Sequence, residues 1–472
     1  GYRAGCSTSL NSNSNWRKMM FSCPASVAKE CSNLTVTASG GASSSPYTCA
    51  GAAGTVYAVH DTSSRLIFDN NDNSVATTTL TPFPPDLSGV HLSQIMILRK
   101  TYVGLRQAET NNDVRASSLK LDASSKVTGD TVIIDVRDAT IEGSIAGTSE
   151  VWLHNSQSGA GLLTAHSGSS MTCSGCALRM SLSGSNVSLH GSITTATVEV
   201  KSLQSISHTG TLTVSGVALT IAVDAASIAG TVECTGAACS ILVSANATLQ
   251  LRGSLSCTNG KCSVSLHSGG DLNSTARMSC AGNSQCLVDI ASGSSALLGG
   301  SIAGSDIRMV VAGSLQIQGL VSTSGQGYAE SSGDGKGSRP AYSSYSSSFR
   351  VSGSGAGHGG NGANGCYRYS SGQLPTGGGS YGSSSDPRTF GSGGGRGCYY
   401  YGSCTSQYGA GGRGGGRIYM NASTIEIASG ATVSADGTQG ATYSSYVGGG
   451  GGSGGSVLLE ALKVSGGGTV SA

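Results

Sequence analysis

Charged and aromatic side chains are both scarce in this chain, at 11% and 5% of its 472 residues. The 27 basic residues are nearly balanced by 25 acidic ones and form no basic run, which argues against a nucleic-acid-binding protein. No stretch approaches 18 consecutive apolar residues, so we expect no membrane span. The chain begins at Gly1 without an apolar leader, which we interpret as a mature, processed form.

Helix signals are lacking as well. No window of about 11 to 18 residues has a convincing period of 3.6, and strong helix formers are sparse. Glycine, with 74 residues, is abundant together with serine, threonine, valine and isoleucine, and β-branched residues favour strands. The composition therefore predicts an all-β fold with glycine-rich connections.

A short pattern recurs in the middle of the chain. TVECTGAACSILV begins at Thr231, SLSCTNGKCSVSL at Ser254 and RMSCAGNSQCLVDI at Arg277, about 23 residues apart. One coil earlier, TLTVSGVALTIAV has the same turn length with Val214 in the place of the first cysteine. A fixed period of about 20 to 50 residues is typical of solenoids. We predict a parallel β-helix with coils of about 19–24 residues, right-handed because parallel crossovers favour that hand.

Composition divides the chain into three zones. Residues 1–112 are predicted to form an N-terminal cysteine-containing β cap or first coils, and residues 113–323 the β-helix core with cysteine-bracketed turns. Residues 324–472 are predicted to be further coils interrupted by glycine-, serine- and tyrosine-rich insertions. There, SDIRMVVAGSLQIQG, GRIYMNASTIEIASG and GSVLLEALKVSGGG align as successive coils, with insertions at 328–415 and 441–454.

Most of the fifteen cysteines lie in close pairs. We predict structural disulfides that bracket turns, and the candidates are Cys173 with Cys176, Cys234 with Cys239, Cys257 with Cys262, Cys280 with Cys286, and Cys398 with Cys404. Bonds between stacked coils, such as Cys234 to Cys257, remain an alternative, because Cα atoms about 5 Å apart are within disulfide range.

Five N-glycosylation sequons accompany the cysteines, at Asn33, Asn186, Asn246, Asn273 and Asn421. Sequons and paired cysteines together favour an oxidising, secretory route. We therefore expect an extracellular, secreted glycoprotein.

Many β-helices degrade polysaccharides, so an enzymatic role is an alternative for this fold. The AGHGG segment around His358 is similar to the Gly-His-Gly of polygalacturonases, but glycoside hydrolysis needs two carboxylates and the chain has no Asp-Asp pair. The acidic run that contains Asp135 and Glu142 is interpreted as a solvated flank of one coil. We predict that the chain is not an enzyme and has no catalytic residues, no metal site and no cofactor.

Tyrosine is concentrated in the insertions, where 13 of the 17 tyrosines follow residue 324. Tyrosine supplies a large amphipathic contact area at low entropy cost, which makes these side chains candidates for subunit contacts. The candidates are Tyr399, Tyr400, Tyr401 and Tyr408. An odd number of cysteines leaves one unpaired, and Cys366 is the candidate for an intermolecular or irregular bond.

Two parts of the chain resemble a known group of proteins. CAGAAGTVYAVHDTSSRLIFDNNDNSVATT (Cys49–Thr78), HLSQIMILRKTYVGL, GAGHGGNGANG, GGRGGGRIYM and GGGGGSGGSVLLEALKV are similar to modules of glycine-rich surface proteins of algae, protists and plants. Members are associated with flagellar hairs (mastigonemes) and with sexually induced cell-surface proteins. The resemblance covers residues 49–105 and 301–472, implies a structural role, and carries over no catalytic residue.

These observations lead us to expect a secreted, glycosylated structural protein that polymerises into an extracellular filament or flagellar hair. Stacking of β-helix ends and contacts of the Tyr/Gly-rich loops would join the copies, and glycans are the other expected partners. The alternative is a monomeric cell-surface adhesion or polysaccharide-binding protein. A polysaccharide lyase or hydrolase is disfavoured by the shortage of acidic residues.

Overall fold

The computed structural model divides the chain into two units, Gly1–Thr235 (unit 1) and Gly236–Ala472 (unit 2). Every regular element among the described residues is a β-strand, and none of them is helical, as the composition predicts. The described residues are 7–10, 18–23, 54–60, 63–69, 81–82, 91–98, 101–105, 113–157, 159–182, 185–202, 204–215, 219–222, 225–236, 238–243, 248–258, 260–266, 270–291, 293–340, 350–366, 374–399, 408–444 and 447–472. The three compositional zones stay a prediction.

The described residues of unit 1 form the strands β1 (Ser7–Leu10), β2 (Lys18–Cys23), β3 (Gly54–His60), β4 (Ser63–Asp69), β5 (Thr81–Pro82), β6 (His91–Leu98), β7 (Tyr102–Leu105), β8 (Asp113–Leu121), β9 (Lys126–Ile141), β10 (Ser144–Asn155), β11 (Leu162–Ala165), β12 (Ser170–Leu182), β13 (Asn186–Leu189), β14 (Ser192–Ser202), β15 (Ser205–His208), β16 (Thr211–Val214), β17 (Leu219–Ala222), β18 (Ala225–Ile228) and β19 (Thr231–Cys234). β1 pairs with β2 and β3 with β4 in antiparallel fashion. From β6 onward the pairings within this unit are parallel.

Successive coils of unit 1 stack in register, which confirms the predicted β-helix. One inward-facing position recurs in six coils, and its occupants are Val127, Ile145, Met171, Ile193, Leu212 and Val232. All six side chains are at most 4% exposed. Val214 pairs with Cys234, so the apolar and cysteine versions of the turn occupy the same place. Stacking of these columns excludes water along the unit.

One acidic residue of unit 1 differs from its prediction. Asp135 is 1% exposed rather than part of a solvated flank. It follows the inward-facing Ile134 at a corner of the coil, and its carboxylate accepts hydrogen bonds from Ser156 N (2.9 Å) and Ser156 Oγ in the next coil. A buried carboxylate needs such donors, and alternation along one strand does not reveal a donor 21 residues away.

The described residues of unit 2 form the strands β20 (Ala238–Val243), β21 (Thr248–Leu251), β22 (Ser254–Cys257), β23 (Lys261–Leu266), β24 (Leu272–Ser274), β25 (Arg277–Ile290), β26 (Ala296–Leu298), β27 (Ser301–Ile317), β28 (Leu320–Ser322), β29 (Arg350–Val351), β30 (Cys398–Tyr399), β31 (Arg417–Ile427), β32 (Thr432–Ser434), β33 (Thr442–Ser444), β34 (Val447–Gly448), β35 (Ser456–Gly466) and β36 (Thr469–Ser471). The short pairs β29–β30 and β33–β34 are antiparallel. The other pairings within the unit are parallel and form three stacks, one on each side of the coil.

The repeat read from the sequence is the repeat of the coil in unit 2. Ser254 pairs with Arg277, and Cys257 pairs with Cys280, at the predicted spacing of 23 residues. The three aligned C-terminal segments also stack, because Asp306 pairs with Arg417 and Arg417 pairs with Ser456. The insertions lie between these stacked segments.

The described parts of the insertions form a glycine-rich bundle, which comprises residues 323–340, 351–366, 374–399, 408–416, 435–442 and 447–455. Its segments are joined by backbone hydrogen bonds that recur every third residue. Two antiparallel pairs of segments show this pattern. Residues 391–397 donate to residues 409–415 through Gly391 N to Gly415 O (2.8 Å), Gly394 N to Gly412 O (2.8 Å) and Gly397 N to Gly409 O (2.9 Å). Residues 449–455 donate to residues 435–441 through Gly449 N to Ala441 O (2.9 Å), Gly452 N to Thr438 O (2.9 Å) and Gly455 N to Ala435 O (2.7 Å). An interval of three is the period of a polyproline II helix, which has no internal hydrogen bonds and must satisfy its N–H groups elsewhere.

Glycine is required in this bundle because the segments approach too closely for side chains. A Cβ atom on Gly415 would lie 1.7 Å from Ala435 O, and one on Gly412 would lie 1.9 Å from Thr438 O. Collagen uses glycine for the same reason at its crowded axis. The described parts of the insertions are therefore packed structure, whereas the sequence predicts only glycine-rich connections there.

Candidate assembly surface at the last coil

Two core columns of unit 2 end at half-exposed valines in the last coil. The columns are Leu249, Leu272, Ala296, Leu315, Ile425 and Val464, and Leu255, Met278, Ile302, Val321, Val433 and Val470. The first five members of each column are at most 5% exposed, whereas Val464 is 50% and Val470 47% exposed. Each coil covers the side chains of the coil before it, and among the described strands none lies over Val464 and Val470.

The backbone of the last coil is also open. β35 pairs with β31 and β36 pairs with β32, and in the described part of unit 2 no strand pairs with their opposite edges. An unpaired edge offers N–H and C=O groups to another strand unless proline or an inward-facing charge blocks it. Both strands lack proline, and the charged Glu460 and Lys463 alternate with the inward-facing positions Ala461 and Val464.

The outer side of this coil carries further features. Leu462 is 93% exposed at the corner of β35. The exposed Glu460 accepts hydrogen bonds from Tyr419 Oη (2.7 Å) and Asn421 Nδ2 (3.0 Å), and these bonds lower the pKa of the Glu460 carboxyl. These contacts tie the last coil to β31 and hold its edge in place. We call the open faces of β35 and β36, with Val464 and Val470, the terminal-coil surface.

Sequence reasoning did not single out Val464 and Val470. The signal was nevertheless present, because the alignment of GSVLLEALKVSGGGTVSA with the two preceding coils places both valines at core positions. What the alignment omits is whether another coil covers them.

The predicted tyrosine contacts are only partly described. Tyr408 is half-buried within the glycine-rich bundle, where the Arg396 guanidinium lies 3.9 Å from the centre of its ring. Arg396 also forms an ion pair with Glu330. The Tyr399 backbone pairs with Arg350, and its side chain is not described. Tyr400 and Tyr401 lie outside the described residues, so the tyrosine contacts stay a prediction.

The cysteines follow the local pairing wherever the bond is described. Disulfides join Cys173 to Cys176, Cys257 to Cys262 and Cys280 to Cys286. Cys234, Cys239 and Cys398 are also disulfide-bonded, while Cys404 lies outside the described residues. The stacked alternative of Cys234 with Cys257 is wrong, because Cys257 is bonded to Cys262. Among the described cysteines Cys366 has a free thiol, and it is exposed.

Two of the sequons are open to solvent. Asn186 and Asn273 are exposed on outward-facing positions of β13 and β24, and the Asn186 side chain accepts a hydrogen bond from Ser205 Oγ (2.5 Å). Asn421 is half-buried, and its side-chain amide donates a hydrogen bond to Glu460. Asn33 and Asn246 lie outside the described residues. Attachment of glycans stays a prediction at all five positions.

His358 lies in a packed, structural setting. Its Nε2 atom is 2.7 Å from Thr389 Oγ1, and its ring meets the Tyr381 ring edge-on at 4.7 Å. Burial lowers the pKa of His358, because the imidazolium form loses hydration.

No helix in the described part of the chain has the length and apolar character needed to cross a bilayer. Comparison with known proteins found no matching family model, no matching curated protein and no matching solved structure.

Proposed function

We propose that this chain is a secreted structural subunit of an extracellular filament, in which coil stacking continues from one copy to the next. The observation that carries the proposal is the in-register stacking of the coils of unit 2, whose core columns run on to Val464 and Val470. Val464 and Val470 continue columns that are otherwise buried, and an unblocked strand edge runs beside them. A partner that adds one more coil in register would bury the valines and satisfy the backbone groups.

A second copy of this chain is the occupant that we propose. A covering coil must pair with the last coil at three strand positions at once. The coils of this chain already have that arrangement of three strands, and they repeat it from coil to coil in unit 2. Contact between the last coil of one copy and a different end of the next is heterologous, and a heterologous contact that does not close generates a fibre. Catalysis plays no part in this function.

Further features agree with an extracellular setting. The close disulfides within turns are typical of oxidising compartments. Asn186 and Asn273 present their sequons on exposed positions. The resemblance to glycine-rich surface proteins of flagellar hairs supports the same proposal.

The test is electron microscopy and sedimentation of the purified chain over a range of concentrations. We expect the wild-type protein to form filaments that lengthen with concentration. The double variant Val464→Lys and Val470→Lys places charges on the terminal-coil surface and should remain a single chain, because buried unpaired charges are strongly unfavourable.

Leu320→Lys is the matched control. Leu320 is 43% exposed on β28 and faces away from the core, so this substitution adds a lysine charge, one rather than two, without touching the open edge. It should leave filaments intact. Monodisperse single chains of wild-type protein at every concentration would contradict the proposal. Closed dimers would also contradict it, because a closed pair cannot extend into a filament.

A further inference from the structure

A cavity of about 180 Å³ lies on one side of unit 2, where the coils meet the glycine-rich bundle. We call it the arginine pocket, and its lining residues are Gln285, Asp306, Arg308, Pro387, Arg388, Arg417, Ile418 and Tyr419. Gln285, Asp306 and Arg417 occupy matching positions in three successive coils. Pro387 and Arg388 come from the bundle. The pocket therefore exists only because the insertion folds back on the coils.

One wall of the pocket is held by a half-buried ion pair. Arg417 donates from Nε to Asp306 Oδ1 (2.8 Å) and from Nη2 to Asp306 Oδ2 (2.7 Å). Gln285 Nε2 donates to the same Oδ2 atom at 2.8 Å. Asp306 is 8% exposed, so three donors satisfy its charge and leave it little capacity to accept from a ligand. The carboxylate in turn raises the pKa of Arg417.

Two other guanidinium groups converge on the ring of Tyr419. Arg308 lies 5.2 Å and Arg388 lies 5.8 Å from the centre of that ring. In the described structure Arg308 has no carboxylate partner. Arg388 pairs at 2.5 Å with Asp386, but both side chains are more than half exposed, so water and other anions compete for that pair.

Among the lining residues, three guanidinium groups face one carboxylate, Asp306, while Asp386 and Glu460 lie just outside the lining beside Arg388 and Tyr419. Arginine offers five N–H donors in a planar fork that matches the oxygens of a carboxylate or a sulfate, and it has no acceptor. Tyr419 adds an apolar ring face beside these donors. A ligand that fits must bring acceptors and some apolar surface. The volume is below the about 300–1,000 Å³ of sites for drug-sized ligands, which suits one sugar ring of a longer chain.

We propose that the arginine pocket binds one anionic sugar unit, bearing a carboxylate or a sulfate, of an extracellular polysaccharide. Arg308 and Arg388 contact the acidic group, Tyr419 packs against the sugar ring, and the Asp306–Arg417 pair shapes the wall. The site rests on the proposed function only for the extracellular source of the polysaccharide. It requires no filament, since every lining residue belongs to one unit of one chain.

Calorimetric titration with three oligosaccharides tests this site. The probes are an oligogalacturonate (carboxylated), a carrageenan oligosaccharide (sulfated) and a neutral maltohexaose. We expect one or both acidic probes to bind, with affinity falling as salt rises, and the neutral probe not to bind. Arg308→Gln should weaken binding by about tenfold or more, because a charge-assisted contact is lost.

Arg252→Gln is the matched control, since Arg252 is exposed on the same unit and bonds only Gln250 among the residues described. It should change affinity by less than about twofold. Equal binding of neutral and acidic probes, an equal loss in Arg252→Gln, or no binding of either acidic probe would overturn the proposal. Repeating the titration on the Val464→Lys and Val470→Lys variant keeps the two proposals distinguishable, because binding by single chains does not depend on filament formation.

Discussion

The coils of unit 2 and its glycine-rich bundle bring segments of chain together in opposite ways. In the coils, apolar side chains such as Ile425 and Val433 form the contacts and exclude water, and both are fully buried. In the bundle, the backbone itself forms the contacts, and any side chain at Gly415 would collide with the next segment. Stability in the coils therefore depends on side chains that are present, whereas stability in the bundle depends on side chains that are absent.

The difference explains why the two regions read so differently in the sequence. Coils need apolar residues only at inward positions, which produces a visible alternation and a period near 23 residues. The bundle needs glycine wherever two segments meet, which produces what looks like low complexity. Removing bulk should therefore damage the first region, and adding bulk should damage the second.

The largest expected effect is in the coils. Ile425→Ala removes a fully buried side chain from the middle of a column and should lower the free energy of unfolding by about 2–5 kcal/mol. Val464→Ala, in the next coil of the same column, should cost less than about 1 kcal/mol in the single chain, because that side chain is already half in water. Urea unfolding with hydrogen exchange measures both. Equal losses would mean that the last coil is covered in the isolated chain.

A smaller loss of stability is expected in the bundle, and there its cause is added bulk instead of removed bulk. Gly415→Ala places a methyl group against Ala435 O and should destabilise the bundle by about 1–3 kcal/mol, as overpacking does. Gly379→Ala is the control, since nothing lies within 4 Å of a Cβ there. Hydrogen exchange of the bundle amides should quicken in the first variant and stay unchanged in the second. Comparable protection in both variants would show that close approach is not what requires glycine.

The smallest effect concerns a titratable side chain inside a column of unit 1. His208 lies between Leu189 and Ile228 in successive coils and is 3% exposed. Burial lowers its pKa below the usual value of about 6.5, so the unfolded chain takes up a proton more readily than the folded one. The contribution of neutral His208 to the free energy of unfolding should be fully present above about pH 6.5 and should be lost as the pH falls below that value.

His208→Leu should abolish that loss of stability, because leucine continues the apolar column without a charge. His166→Leu, at an exposed turn, should retain it. Thermal or urea unfolding of both variants between pH 7.5 and pH 5 provides the measurement. Identical pH profiles for His208→Leu and the wild-type chain would show that His208 is not the group responsible.

Much of the solenoid could be predicted from the residues. The spacing of Cys257 and Cys280 is the coil repeat, and the six-residue bracket from Cys280 to Cys286 is a local disulfide. Both follow from short-range pattern, because neighbouring coils repeat the same positions. The burial of Asp135 was predicted wrongly, since its hydrogen-bond donors come from the next coil.

The arginine pocket and the terminal-coil surface were beyond sequence reasoning for a different reason. Asp306 and Arg417 are 111 residues apart, and much of the glycine-rich bundle lies within that interval, so no local pattern joins them. Val464 occupies a core position by alignment, and only the stacked coils show that no described strand lies on its far side.

By itself, the sequence determined the strand periodicity, the coil length and the local cysteine pairs, because each depends on residues within one or two coils. Tertiary structure alone decided where the glycine segments pack, which acidic groups are buried, and which apolar positions meet water. The physical reason is that burial depends on what lies on the other side of a residue, and in this fold that neighbour is separated from it by at least one whole coil of chain.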